Sequence, residues 1–369
     1  MKKWGVVFLT AVLTMGVVGC GGTAEKKAVE PSSAVTEVSG GNSTSVSGDS
    51  DYGITDTDPQ ITINLANGAN DTQQGNITCL NFKKMVEERS GGKIKVNNYP
   101  ANQMGSDIEM FESLQAGDLQ MVWETTGSQG NFIPELAIAD LPVYYADLEE
   151  AYNTFQDEEL KEHLRKLYAD VGVKLLNIYP TAFREMTSNK KVEKIEDFNG
   201  IKIRTMDNQN HMAFWQAIGA NPTPLAFSEV IVALQQGLID AQENPIENIN
   251  ANNTCEVQDY LILTHHVLFL DTLVMNLDFY NGLPESYQKL ISDAASEASA
   301  NTYERASEVE AAALAEIKQK WGTEVIELSD EVRTQMKEKA APNYTLVYDK
   351  MGEELTSLFE AAYERAAGK

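Results

Sequence analysis

Between Ile61 and Trp123 the hydrophobic spacing changes period four times, and this constrains the fold more than any other feature of the chain. Ile61, Ile63 and Leu65 alternate with polar residues, as in a half-buried strand. From Thr72 to Ser90 the apolar positions Cys79, Phe82, Met85 and Val86 follow helical spacing, and Gly91-Gly92 stops the helix. Lys93 to Val96 alternates again, a helix from about Asp107 to Ala116 ends at Gly117, and Leu119 to Trp123 reads as a buried strand. Five elements of alternating type in about sixty residues predict parallel β-α-β units. The pattern resumes with a helix from about Leu148 to Ala169, then strands over Val171–Tyr179, Phe183–Thr187 and Ile201–Thr205. Ser228 is placed to cap a helix over Glu229–Gln236 that Gly237 terminates. From Pro284 to about Trp321 the chain reads as one long helix, with more helix to the end, and there is no internal repeat. With 369 residues, 43% of them hydrophobic, such a chain can bury a large core and divides into about two domains. Two α/β lobes followed by C-terminal helices are therefore expected.

The first 58 residues carry no such periodicity. Lys2 and Lys3 precede an apolar run from Trp4 to Val18, about fifteen residues against the roughly 20 that a membrane span needs. The run ends Val17-Val18-Gly19-Cys20, a small residue directly before a cysteine, which resembles the lipobox of bacterial lipoproteins. The resemblance implies a signal peptide over 1–19, cleavage before Cys20 and lipidation of its sulfur. A plain secretory signal in which Cys20 is incidental is the alternative. From Pro31 to Ser50, ten of twenty residues are Gly or Ser, a composition too poor in apolar groups to offset its ordering entropy. Residues 20–58 thus read as a flexible tether reaching roughly 35 Å. No later apolar stretch approaches span length, so a lipid is the expected anchor.

Acidic residues outnumber basic ones 55 to 29, giving a formal charge of −26 that repels phosphate backbones and argues against nucleic acid. Three cysteines supply neither a disulfide framework nor a closed zinc site; Cys79 lies in an apolar stripe, and an extracytoplasmic location would permit but not require its pairing with Cys255. The chain lacks GxGxxG, GxxxxGK[ST], GxSxG and HExxH, and His265-His266 would point to opposite faces of a strand. No catalytic residue, metal site or cofactor is nominated. What remains is polar residues in apolar company: Arg184 within Thr181–Thr187 and Arg204 within Gly200–Thr205. Taken alone, each reads most simply as a solvated strand charge, although the planar guanidinium fork suits a carboxylate.

The segment from Lys190 to Pro245 resembles the DctP-type solute-binding proteins of tripartite ATP-independent periplasmic (TRAP) transporters. The resemblance is carried by Asp197-Phe198-Asn199-Gly200-Ile201-Lys202-Ile203-Arg204, Gly219–Pro224, Ala226–Val230, Ala233–Gly237 and Gln242-Glu243-Asn244-Pro245, in that order. Upstream, Gly91–Val96 and Gln103-Met104-Gly105-Ser106-Asp107 belong to the same pattern, which extends from about Ile61 to the C-terminus. Ala182 and Ala241 stand where the family usually has glycine, Ile231 where tyrosine is common, and Met206 replaces the usual valine-proline context.

The resemblance implies a two-lobed, periplasmic-binding-protein-like fold with mixed sheets, an interlobe cleft and long C-terminal helices. Lobe one is expected over 59–180 plus 270–307, and lobe two over 181–269 plus 308–369. It also implies an extracytoplasmic protein that captures an organic acid and hands it to a sodium-coupled permease, acting as a monomer and transforming nothing. A ligand-binding lipoprotein that serves a sensor kinase is the alternative. Carried over residue by residue, the family's main carboxylate-binding arginine matches Arg204, a second ligand-side arginine matches Arg184, an amide contact matches Asn244, and Phe227 matches an apolar wall. Glu124 and Asp207 fall where some members contact ligand hydroxyls, and Asn67 falls in the first-strand loop. If both acids line the cleft they repel a second carboxylate, which favours a sugar acid such as a uronate over a C4-dicarboxylate.

Overall fold

The computed structural model describes residues 52–368; the expected signal peptide, Cys20 and most of the tether lie outside the described residues. Eleven strands form two mixed sheets among the described residues. β1 (Ile61–Asn67), β2 (Ile94–Tyr99), β3 (Met121–Thr125) and β4 (Val173–Phe183) belong to the first, followed in the chain by β5 (Glu185–Ser188), β6 (Lys202–Thr205), β7 (Asn221–Pro224), β8 (Ala241–Asn244) and β9 (Tyr260–Leu263) of the second. β10 (Leu268–Asn276) returns to the first sheet and β11 (Glu324–Glu327) completes the second.

In the first sheet the order is β2-β1-β3-β10-β4. β1 runs parallel to β2 and β3, as the helical crossovers at Gln74–Arg89 and Asp107–Ala116 require, whereas β10 is antiparallel to both β3 and β4. Both faces are covered, so successive residues of β10 enter different cores: Leu273 and Met275 pack with Ile63, Phe82 and Trp123, and Val274 packs with Val122, Leu175 and Ile178. The second sheet, β11-β9-β5-β8-β6-β7, has its own core around Phe198, Ile203, Phe214, Trp215 and Ile262.

Two short segments carry the chain between the sheets. β4 passes into β5 through the single residue Arg184, and β9 passes into β10 through Thr264–Val267. The segments are laced together, since the Arg184 N–H donates to Val267 O at 2.8 Å. Helix Glu285–Lys320 is the third link: it packs against β4 and helix Gln74–Arg89, and also against helix Ile246–Ala251. The stretch read as one helix from Leu148 to Ala169 is two, because Asp157 accepts from Glu159 N and Leu160 N and caps a new helix, Glu158–Asp170.

The C-terminus departs from the expectation that 308–369 packs with the second lobe. β11 and helix Asp330–Lys339 do so, with Ile326, Val332 and Met336 in the second sheet's core. After Ala340 the chain crosses over, and Val347, Met351, Leu355 and Phe359 of helix Ala341–Ala366 join the first sheet's core beside Tyr145 and Phe155. Gly352 (φ 71°, ψ 172°) breaks the helix between Met351 and Leu355, and Phe359 and Tyr363 beyond it pack on the aromatic rings of Tyr144 and Tyr145.

Candidate functional site

A cavity is lined from both sheets. From the second sheet and its helices come Arg204, Phe227, Asn244, Glu247 and, at the crossover, Arg184; from the first come Trp123, Glu124, Thr125 and Asp271, with Asn102 from the turn after β2 and Asp107 from the start of the helix that follows.

Arg204 reaches the cavity because β6 alternates: Ile201 and Ile203 enter the core and Arg204 takes the other face. It is 3% exposed, so it is no solvated strand charge. Its Nε and Nη2 donate to Leu225 O at 2.9 and 2.6 Å, and its Cζ lies 5.8 Å from the Phe227 ring centroid. The backbone carbonyl therefore holds the fork in place, and Nη1 makes no protein hydrogen bond among the described residues. Burial, reinforced by Arg184, brings the Arg204 pKa down to about 10, while Glu243 and Asp107 act the other way; the group stays charged near neutral pH.

Arg184 is more deeply held. Its Nε pairs with Glu243 Oε2, and its Nη2 donates to Glu243 Oε1 at 2.8 Å, to Glu243 O at 2.8 Å and to Asn244 Oδ1 at 3.1 Å. Burial opposes ionisation of Glu243, but Arg184 and a contact from His266 hold its carboxyl well below the usual range. Nη1 of Arg184 is buried without a partner among the described residues, and the residue lines the cavity. Asn244 lines it too, although its Oδ1 serves Arg184 and its Nδ2 donates to Gln242 Oε1 at 2.8 Å.

Glu124, 2% exposed, accepts from Gln129 Nε2 at 3.0 Å through Oε1, and its Oε2 has no partner. Burial, with Asp107 adding repulsion, raises its pKa well above the carboxylate range. Of the seven expected ligand contacts, Arg204, Arg184, Asn244, Phe227 and Glu124 share this cavity; Asp207 and Asn67 do not line it. Asp207 is exposed and lines a separate polar cavity with Asn131 and Lys350. Its neighbour Met206 takes the inward position instead. Asn67 is buried behind the wall, bonding Ala69 N at 3.1 Å and Asn98 Oδ1 at 3.1 Å, so it shapes the loop that carries Gly68 and Ala69.

Several lining groups escaped the sequence reading. Trp123 forms a flat wall, anchored by its Nε1 donating to Tyr179 Oη at 2.9 Å, and a Cβ at Gly75 would overlap its ring. Asp271 sits in a largely apolar β10, accepting from Thr181 Oγ1 at 2.8 Å through Oδ2 while Oδ1 has no partner. Glu247 accepts from Gln74 N at 2.8 Å, joining the helix after β8 to the first turn of the helix after β1. A second link across the cleft is Asp140, which accepts from Asn208 Nδ2 at 2.9 Å and Asn210 Nδ2 at 2.8 Å and lies 3.0 Å from His211 Nε2. Among the described residues no cluster of His, Cys, Asp or Glu could hold a metal ion, Cys79 and Cys255 are both free and buried, and no helix is long and apolar enough to cross a membrane.

Two α/β sheets joined by short crossovers, enclosing a cavity with two fixed guanidinium groups, define a binding protein for a small solute. The chain belongs to the family described as bacterial extracellular solute-binding protein, family 7, which it matches over residues 65–351, and is thus a two-lobed, DctP-type TRAP solute-binding protein. It is 34% identical over 286 residues to the ectoine-binding periplasmic protein TeaA of Halomonas elongata, covering 76% of this chain and 83% of that one. It is 30% identical over 295 residues to the C4-dicarboxylate-binding periplasmic protein DctP of Rhodobacter capsulatus, covering 80% and 88%. Among solved structures, the sugar acid binding protein DctPAm of Advenella mimigardefordensis in complex with galactonate superposes with a TM-score of 0.79 at 28% identity, over 84% of this chain and 99% of that one. The family works in solute transport and is not one of enzymes.

Proposed function

We propose that this protein captures a monocarboxylate in the cavity between its sheets, with Arg204 and Arg184 receiving the carboxylate, and delivers it to a sodium-coupled TRAP permease. The observation that carries the reading is the pair of buried guanidinium groups, each fixed by protein acceptors, with Nη1 of Arg184 buried without a partner among the described residues. A charged hydrogen bond in such a setting contributes about 1.5–3 kcal/mol, which makes a ligand carboxylate the natural anchor. Phe227 and Asn244 complete that end, and Glu124 faces the remainder of the ligand. A sugar acid such as a uronate or aldonate is favoured over a C4-dicarboxylate, because the cavity adds acidic groups rather than a third cation. The galactonate bound by DctPAm supports that preference; the ligands named for TeaA and DctP show the breadth among relatives.

The lobes correspond to the two sheets, and closure turns on the crossovers at Arg184 and Thr264–Val267. The protein works outside the cytoplasm, held to the membrane by a lipid on Cys20. A thermal-shift screen of organic acids tests the function: a ligand at 100 times its dissociation constant adds about 2.7 kcal/mol of stability. Stabilisation by sugar acids supports the reading, and stabilisation by dicarboxylates alone reverses the preference.

A further inference from the structure

The ligand cavity and the polar cavity that holds Asp207 meet at matching points on the two sides of the cleft. On the first sheet's side the lining passes from Thr125, in the first cavity, to Gly127, in the second. On the second sheet's side it passes from Met206 to Asp207. The two points touch: Asn208 Nδ2 donates to Gly127 O at 2.8 Å, and a Cβ at Gly127 would overlap the Met206 Sδ. Met206 is 8% exposed, yet it packs into none of the apolar cores of the described residues. It shares the ligand cavity with Arg204, because two residues along an extended chain return to one face, and it stands roughly 6–7 Å further on. Beyond it the second cavity is polar, walled by Asn131, Asp207, Gln209, Asn210 and Lys350, whose Nζ donates to Asn210 Oδ1 at 2.7 Å.

A buried methionine that belongs to no core and sits on a glycine between two cavities acts as a partition. An unbranched thioether fills an irregular gap of this kind, and Gly127 leaves it room because no Cβ projects there. Resting on the reading that Arg204 receives the acid end, we propose that Met206 is a specificity-determining residue, which closes the ligand cavity beyond Arg204 and sets the greatest length of acid accepted. An acid that fits ends at the thioether. A longer one must drive Met206 against Gly127, whose carbonyl is held by Asn208. With a smaller residue at 206 the two cavities join, and the tail of a longer acid extends among the amides and Lys350 of the second. The limit concerns length alone, so it holds whether the tail carries hydroxyl groups or a carboxylate.

Calorimetric titration of the full chain with acids of graded length tests this: glycerate, erythronate, gluconate and lactobionate in one series, succinate, adipate and sebacate in the other. In whichever series binds, wild type should lose affinity about 100-fold from the longest acid that fits to the next, as overfilling a packed site requires. Met206→Ala should tighten that rejected acid at least about tenfold and leave the shortest acid within about threefold of wild type. Met206→Leu, of similar volume, should keep the wild-type limit. Gly127→Ala tests the same wall without truncating Met206: it drives the thioether into the ligand cavity and should weaken the longest accepted acid about tenfold, an effect that the double variant with Met206→Ala should lose. A wild type that binds every length alike refutes the partition, as does a Met206→Ala protein that keeps the limit or weakens every acid equally. Arg204→Lys separates the two claims. If it weakens every acid while Met206→Ala leaves the limit in place, the carboxylate reading stands and the partition falls. If it changes nothing while Met206→Ala moves the limit, the partition stands and the carboxylate reading falls; if no acid binds the wild type, both fall.

Discussion

Arg184 and Glu243 form a buried ion pair, 1% and 0% exposed at the side chain, at the point where the chain crosses from one sheet to the other. The pair does two things at once. It fixes a guanidinium that lines the cavity, and it ties the crossover to β8, with His266 Nε2 adding a contact to Glu243 at 3.1 Å.

Removing either partner therefore costs stability before any ligand is present. A buried ion left alone is worth about 3–5 kcal/mol of destabilisation, so Arg184→Ala and Glu243→Gln should each unfold at markedly lower urea in the apo protein. Arg204, bonded only to a carbonyl, should tolerate substitution better. Equal apo stability for wild type and Arg184→Ala would mean that the pair does not form.

Asp140 closes the molecule at a second place. It ends a 3-10 helix, Pro134–Asp140, in the first sheet's core, and its partners Asn208, Asn210 and His211 begin the helix Gln209–Ala217 in the second's. Asp140→Ala leaves buried donors unpaired and should cost at least about 2 kcal/mol in denaturant unfolding, with weaker ligand binding as the closed form is lost. Asp140→Asn, which keeps acceptor capacity in one oxygen, should cost less.

Glu247 gives the pH response a definite sign. Burial raises its pKa to about 7, against the N–H of Gln74, whereas an unfolded glutamate titrates near about 4.3. Between those values the native state holds the proton that the unfolded state has lost, so this group makes stability fall as pH rises through the window, and the deficit persists above it. Glu247→Gln can still accept from Gln74 N–H and does not titrate. It should match wild type near pH 4 and become the more stable protein by pH 7.5; parallel stability curves would refute the assignment.

For Cys20, the prediction is one of location. Cys20→Ser should release the protein from the membrane fraction, and a variant that sediments with membranes as wild type does would refute the lipid anchor.

The strand-helix alternation was legible because both faces of the first sheet and the inner face of each helix are filled by regularly spaced apolar residues, as in Ile63, Leu65, Phe82 and Val86. Without the family resemblance, Arg184 and Arg204 are legible only as polar residues in apolar company. What makes them a site is long-range: Glu243 lies 59 residues from Arg184, and Leu225 is 21 residues from Arg204. Asp207 was misplaced because neighbouring side chains in an extended segment face opposite ways, and Met206 takes the inward one. Asp271 is hidden inside a β10 pattern dominated by core residues. Periodicity also could not tell which lobe the last helix covers, since its stripe fits any apolar surface and the aromatic cluster at Tyr144 and Tyr145 decides.

The proposed function turns on Arg204 receiving a carboxylate through a geometrically fixed fork. Arg204→Lys keeps the charge and loses the planar donor set, a change that is not conservative where guanidinium geometry binds the ligand. Calorimetric titration of wild type and Arg204→Lys with an acid found in the thermal-shift screen measures this directly. The account predicts binding weakened roughly 10- to 100-fold with apo stability nearly unchanged, from the loss of about 1.5–3 kcal/mol of charged hydrogen bonding. An Arg204→Lys protein that binds the acid as tightly as wild type would contradict it.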